Sequence, residues 1–124
     1  MGAPVSFFDT NILIDVLRGI PVAVREWRKG SPHRISRITW TEILAGARDS
    51  GEEQALESFL GGFHVVELTV AIARKAAKLR RTHRMKLPDA IIYASAQEVG
   101  EDLVTRNTKD YPHPLAGVRV PYRL

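Results

Sequence analysis

The chain contains no cysteine. Disulfide frameworks, zinc–thiolate centres and cysteine nucleophiles are therefore excluded. No apolar run approaches the roughly 20 residues needed to cross a bilayer, so no membrane association is expected. There is no internal repeat, no low-complexity tract and no Pro/Ser-rich linker. Met1 to Pro4 carry no basic region, which argues against a secretory signal and for a soluble cytoplasmic protein. The histidines, His33, His64, His83 and His113, lack metal-ligand spacing and are expected at the surface or in packing. What is present is ordinary globular material, 44% hydrophobic and 26% charged in 124 residues. That length suits one domain over residues 1–124, able to bury about two thirds of its unfolded surface without a covalent or metal staple.

Charge is the first positive sign. Lys and Arg number 18 against 14 Asp and Glu, a net charge of +4. A basic excess suits a polyanionic partner.

Strand and helix patterns alternate. Val5–Phe8 reads as a buried strand ending at an aspartate. Ile12–Arg18 has apolar pairs at i,i+4 and a Gly19 stop. Pro21 opens a helix to about Lys29. Arg34–Ile38 alternates as a strand, and Thr39-Trp40-Thr41-Glu42 reads as a capping box opening a helix to about Arg48. Ser50-Gly51-Glu52-Glu53 opens another helix to about Leu60. Phe63–Leu68 is a strand, Thr69 caps a helix over Val70–His83, and Leu87-Pro88-Asp89 opens an apolar, buried helix to about Val99. Asp102–Thr105 and Val118–Val120 close the series as strands. The order predicts an α/β fold with a mainly parallel sheet of about four to five strands.

In such sheets ligands bind outside the carboxyl ends of the strands. Asp9 follows the first strand and Glu42 lies just after the second. Asn107 and Asp110 follow the strand ending at Thr105, and Asp89 opens the buried helix. Each has a plainer role available. Asp9 suits a helix cap, Glu42 the reciprocal place in a capping box with Thr39, Asp89 a helix N-terminus, Asn107 an Asx-turn and Asp110 a loop. Together they describe one acidic cleft. Clustered carboxylates repel unless a cation compensates. An all-oxygen donor set favours Mg²⁺, with Mn²⁺ able to substitute, over Zn²⁺.

Four segments resemble the PIN-domain ribonucleases of the VapC toxin type. They are Phe8-Asp9-Thr10-Asn11-Ile12-Leu13-Ile14-Asp15, Ser36–Ile43 with Glu42, Leu87–Ala94 with Asp89, and Leu103–Tyr111 with Asn107 and Asp110. They fall in the family's order and span nearly the whole chain. The resemblance implies a three-layer α/β/α PIN domain with Mg²⁺-dependent endoribonuclease activity. It also implies a cognate antitoxin and a homodimer. Carried over by position, Asp9 and Asp89 are direct metal ligands, and Glu42 is a ligand or orients the attacking water. Many relatives have aspartate where this chain has Asn107, so Asp110 is an alternative fourth carboxylate and the metal count, one or two, stays open. Thr10 and Thr105 are expected to hydrogen-bond the carboxylates. The expected reaction is in-line attack of water on an RNA phosphodiester, leaving a 3′-hydroxyl.

Arg74–Lys86 holds seven basic residues and no acid. Its solvated-face reading competes with a phosphate-contacting flank in which Arg81, Arg84 and Lys86, with Arg106 and Lys109, guide RNA. Trp40 and Tyr111 are candidates for base stacking or for core packing. The resemblance places an antitoxin groove on Ile12–Lys29, with Trp27, and Ser50–Leu60. Two other classes compete. An aspartyl-phosphate protein lacks its second acid, because Asn11 stands two residues after Asp9. A catalytically weak or inactive RNA- or antitoxin-binding module is kept open by Asn107.

Overall fold

A computed structural model of the protein describes residues 5–111 and 116–124; residues 1–4 and His113 lie outside the described residues. Five strands, β1 (Phe7–Phe8), β2 (Arg34–Ser36), β3 (His64–Val66), β4 (Leu103–Val104) and β5 (Val118–Arg119), form one sheet in the order β3-β2-β1-β4-β5. All pairs are parallel, with Phe7 opposite Arg34 on one side and Leu103 on the other. The helices are α1 (Thr10–Leu17), α2 (Pro21–Arg28), α3 (Arg37–Ala45), α4 (Ser50–Leu60), α5 (Val70–His83) and α6 (Leu87–Glu98).

Successive strand side chains point to opposite faces, and that alternation builds the layers. Phe7, Leu103 and Val66 join Ile72 and Ala76 of α5 and the buried side of α6. Their neighbours Phe8, Val104 and Val65 join Ile12 and Leu13 of α1, Ile43 of α3 and Leu60 of α4. The result is the expected three-layer α/β/α arrangement, with a sheet that is wholly parallel. Helix α6 is buried almost all round, from Ala90 to Ala96.

Local signals set the helix starts. Asp9 is extended, and its carboxylate accepts the Thr10 N–H. Asp49 accepts from Glu52 N at 2.8 Å and Thr69 from Ile72 N at 3.2 Å. Thr39, expected from sequence to open a capping box with Glu42, does not cap α3. Ser36 caps α3 by accepting from Ile38 N at 3.1 Å, so the helix starts at Arg37 and shortens the strand to Arg34–Ser36. Thr39 lies buried inside the helix, which frees Glu42 from the reciprocal cap. Of the histidines, His33 is buried against Phe8; it accepts from Ser6 N, and its other nitrogen donates to the Trp27 carbonyl. That pattern keeps the ring neutral, and burial lowers its pKa.

The order in which strands are added along the sheet reverses at β1, whose neighbours are β2 and β4. A crevice at the carboxyl ends is the geometric consequence. Because Phe7 and Phe8 are wholly buried in different layers, Phe7→Ala and Phe8→Ala are each expected to lower unfolding free energy by about 3–5 kcal/mol. Urea titration checks this; a loss below about 1 kcal/mol for either would contradict the two-layer core.

Candidate active site

Asp9 leaves β1 at the crevice with only 5% of its surface exposed. One carboxylate oxygen accepts the Thr10 N–H at 2.7 Å, and the other accepts the Tyr111 hydroxyl at 2.8 Å. Burial raises its pKa, against the lowering effect of the Tyr111, Thr10 and Thr105 hydrogen bonds; Glu42 adds to the rise. Glu42 projects from α3 and is exposed. The Thr10 hydroxyl donates to it at 2.7 Å and shares a 3.0 Å hydrogen bond with the Thr39 hydroxyl. One residue of α1 thus ties the second acid to the first.

Asp89 lies in the first turn of α6. Its carboxyl is pushed up to about 7, first by burial, then by the charges of Asp110, Asp9 and Glu42; Lys86 opposes the rise. Four carboxylates from four parts of the chain therefore share one electrostatic field. Asn107 differs from them. Its amide donates to Asp110 and its carbonyl oxygen accepts Lys109 N at 3.2 Å, an Asx-turn that holds Asp110 in place. Asp110, rather than Asn107, is the group whose charge reaches Asp89.

Among the described residues no three acidic or histidine side chains are already gathered close enough to hold one metal ion. The fit to a hard divalent cation rests on donor chemistry: the donors are all oxygen and like-charged, and burial together with the neighbouring charges of Asp110, Asp9 and Glu42 disfavours ionisation of Asp89.

Helix α1 also grips the β4 end of the site. The Asn11 amide donates to the Thr105 hydroxyl at 2.9 Å, while its carbonyl oxygen accepts Arg106 N at 3.2 Å. Four residues on, Asp15 is fully buried. It accepts from Arg106 Nε at 2.6 Å, Arg106 Nη2 at 3.1 Å and the Tyr122 hydroxyl at 2.8 Å. Arg106, read from sequence as an RNA contact, thus has its guanidinium committed to Asp15. Tyr111 is buried and bonded to Asp9, so it does not offer a face for base stacking. Trp40 is partly buried against the α1 layer, with the Arg37 guanidinium 4.7 Å from its ring centroid. Asn11, Asp15 and the Tyr111 hydroxyl escaped sequence reasoning. The available signal was Asp15 itself, a lone charge on the buried side of an otherwise apolar helix.

Two of the cavities among the described residues bear on the site. One, of about 390 Å³, lies at the amino ends of β1 and β4 among Ser6, Glu26, Lys29, Glu101, Asp102 and Arg119, away from Asp9, Glu42, Asp89 and Asp110. The other, of about 300 Å³, borders Asp89 and Asp110.

The model of the PIN domain family matches residues 6–112. Among solved structures, a toxin–antitoxin complex from Klebsiella pneumoniae is 39% identical, with 96% of this chain and 99% of that chain covered and a TM-score of 0.87. DNA-bound VapBC from Salmonella typhimurium is 22% identical over 94% of this chain and 96% of that chain, with a TM-score of 0.72. VapBC2 from Rickettsia felis, bound to a promoter DNA fragment, is 18% identical over 87% and 91%, with a TM-score of 0.71. These last two share the fold. No curated protein sequence matches the chain.

The grip of α1 on Arg106 has a pH signature. The Arg106 and Tyr122 hydrogen bonds outweigh burial and hold Asp15 below the usual carboxylate range. A lowered folded pKa gives stability that is present above the unfolded value, about 3.9, and is lost as pH falls through the folded value. Asp15→Ala is expected to cost about 1–3 kcal/mol at pH 7, since it removes the acceptor of the Arg106 and Tyr122 hydrogen bonds while the Arg106 side chain, 31% exposed, still reaches water. The deficit relative to wild type should shrink below about pH 4. Urea unfolding from pH 7 to 3 checks this; a deficit that stays constant would contradict it.

Proposed function

Because the chain belongs to the PIN domain family, we propose that it is a cytoplasmic, divalent-metal-dependent endoribonuclease toxin of the VapC type, restrained by a cognate antitoxin protein. The observation that carries the reading is the gathering of Asp9, Glu42 and Asp110 around a half-buried Asp89, whose carboxyl is pushed up to about 7 first by burial and then by the charges of those three acids. Protonation relieves that repulsion but discards the charge; a hard cation relieves it and keeps the carboxylates ionised. Asp9 and Asp89 would hold the ion, with Glu42 as a further ligand or as the group that orients water. Asp110 supplies the remaining negative charge. Bound Mg²⁺ or Mn²⁺ supplies Lewis-acid stabilisation of phosphate charge and acidifies water.

The chain's own residues do the positioning. The Tyr111 hydroxyl and the Thr10 N–H fix the Asp9 carboxylate, and the Thr10 hydroxyl fixes that of Glu42. Asn107 and Asn11 hold the β4 limb. Hydrogen bonds of this kind orient carboxylates before a cation arrives. Basic residues around the acids draw in the polyanion that the acids alone repel.

The antitoxin reading draws on the 39% identical Klebsiella pneumoniae structure, a toxin–antitoxin complex. The wall formed by α1, α2 and α4 suits such a partner. There Trp27 and Phe59 lie 5.7 Å apart, and Leu17 is 44% exposed. A homodimer belongs to the same proposal.

Wild-type protein with Mg²⁺ is expected to cleave RNA, whereas excess EDTA stops it. Asp9→Asn should lose at least the roughly 10–100-fold that disturbing a metal site's supporting groups costs. Equal cleavage in all three reactions would contradict the assignment. A second test needs no turnover. The raised Asp89 pKa makes ionisation of this group destabilising as pH rises from about 4 to 7. Asp89→Asn should therefore melt higher than wild type at pH 8 without metal, and should lose most of the Mg²⁺-induced rise in melting temperature. Lower metal-free melting together with an undiminished Mg²⁺ response would contradict the metal reading.

A further inference from the structure

We propose that the cavity between the α5–α6 turn and the loop after β4 is a phosphate subsite, seating the backbone phosphate next to the one that is cut in a single RNA strand; this rests on the nuclease reading. The cavity, about 300 Å³, is lined by His83, Arg84, Met85, Lys86, Asp89, Lys109 and Asp110. Its lining carries both signs of charge. Asp89 and Asp110 belong to the acid cluster, while Arg84, Lys86 and Lys109 bring three cations from two separate loops. Asp9 and Glu42 do not line it. Its centre therefore lies to one side of the cluster, where a neighbouring phosphate of a strand crossing the acids would fall.

Three features separate these cations from an ordinary solvated surface. None of the three joins a salt bridge among the described residues; Arg74, Lys78 and Arg81 are likewise unbridged, but they do not line this cavity, whereas Arg84, Lys86 and Lys109 converge on it. Arg84 ends α5 with φ of 56°, the one positive φ outside glycine among the described residues. Glycine takes that backbone region at less cost, so an arginine there keeps a side chain at the expense of the turn. Finally, Arg80 donates to the Met85 carbonyl at 2.8 Å, which braces the turn with Arg84 and Lys86 on either side. Arg81, grouped with them by sequence, does not line the cavity.

The test measures the affinity of a fluorescent, mixed-sequence single-stranded RNA as a function of KCl, in the Asp9→Asn background with Mg²⁺ present. Arg84→Ala, Lys86→Ala and Lys109→Ala are each expected to weaken binding and to flatten the log–log salt slope by about 0.7, the value for one lost single-strand phosphate contact. Arg74→Ala and Lys78→Ala remove the same charge from exposed α5 positions outside the cavity and should leave the slope unchanged. Arg84→Gly should bind as weakly as Arg84→Ala while melting no lower than the parent, which separates the side chain's role from the turn's stability. Equal losses from both sets of variants, no loss from either, or no binding by the parent overturns the subsite. Failure of the nuclease reading looks different: wild type binds the strand with the same cavity dependence and does not cut it.

Discussion

The amino end of α1 is the constraint on which the rest depends. Four carboxylates cannot be held together in water by their own preference, because each additional charge raises the cost of the others. Here neutral donors from a single turn of helix offset part of that cost. The Thr10 N–H takes Asp9, the Thr10 hydroxyl takes Glu42, and Asn11 takes the β4 limb that carries Asn107 and Asp110. One turn further, Asp15 locks the same limb through Arg106. Because α1 follows β1 directly, and β1 lies beside β4 in the sheet, this turn sits where the crevice opens. Fold topology and site chemistry are therefore set by the same residues.

Much of this was legible in the sequence. The alternation of strands and helices, the buried character of α6 and the placement of Asp9, Glu42 and Asp89 at the carboxyl rim all follow from local patterns. The parts that were not legible are the long-range partnerships. Asp9 meets Tyr111 across 102 residues, and Asp15 meets Arg106 across 91. Nothing near Arg106 distinguishes a cation reserved for a buried acid from one offered to a phosphate. The same blindness explains Thr39. Its spacing to Glu42 matches a capping box, yet Ser36 lies three residues earlier and takes the cap, and Thr39 instead turns inward to Thr10. For Asn107 the plainer of two readings, an Asx-turn, describes what its side chain does.

The distribution of cations follows from the same electrostatics. A basic chain built around an acidic centre must keep its own positive charges from collapsing onto the acids. It does so by fixing Arg106 on Asp15, Arg119 on Glu26 and Arg37 on Glu67. Arg84, Lys86 and Lys109 remain beside the acids without a bridge. The site is bipolar: a group of carboxylates with three unbridged cations beside it.

The most direct measurement is the titration of the Asp89 carboxyl by carbon NMR, with and without divalent cation. A midpoint near 7 is expected in the absence of metal, where burial and its three acidic neighbours oppose ionisation. With saturating Mg²⁺ the midpoint should fall to or below 3.8, the group's ordinary value. A midpoint near 4 in both conditions would mean that the acids neither crowd one another nor share an ion, and would contradict the account.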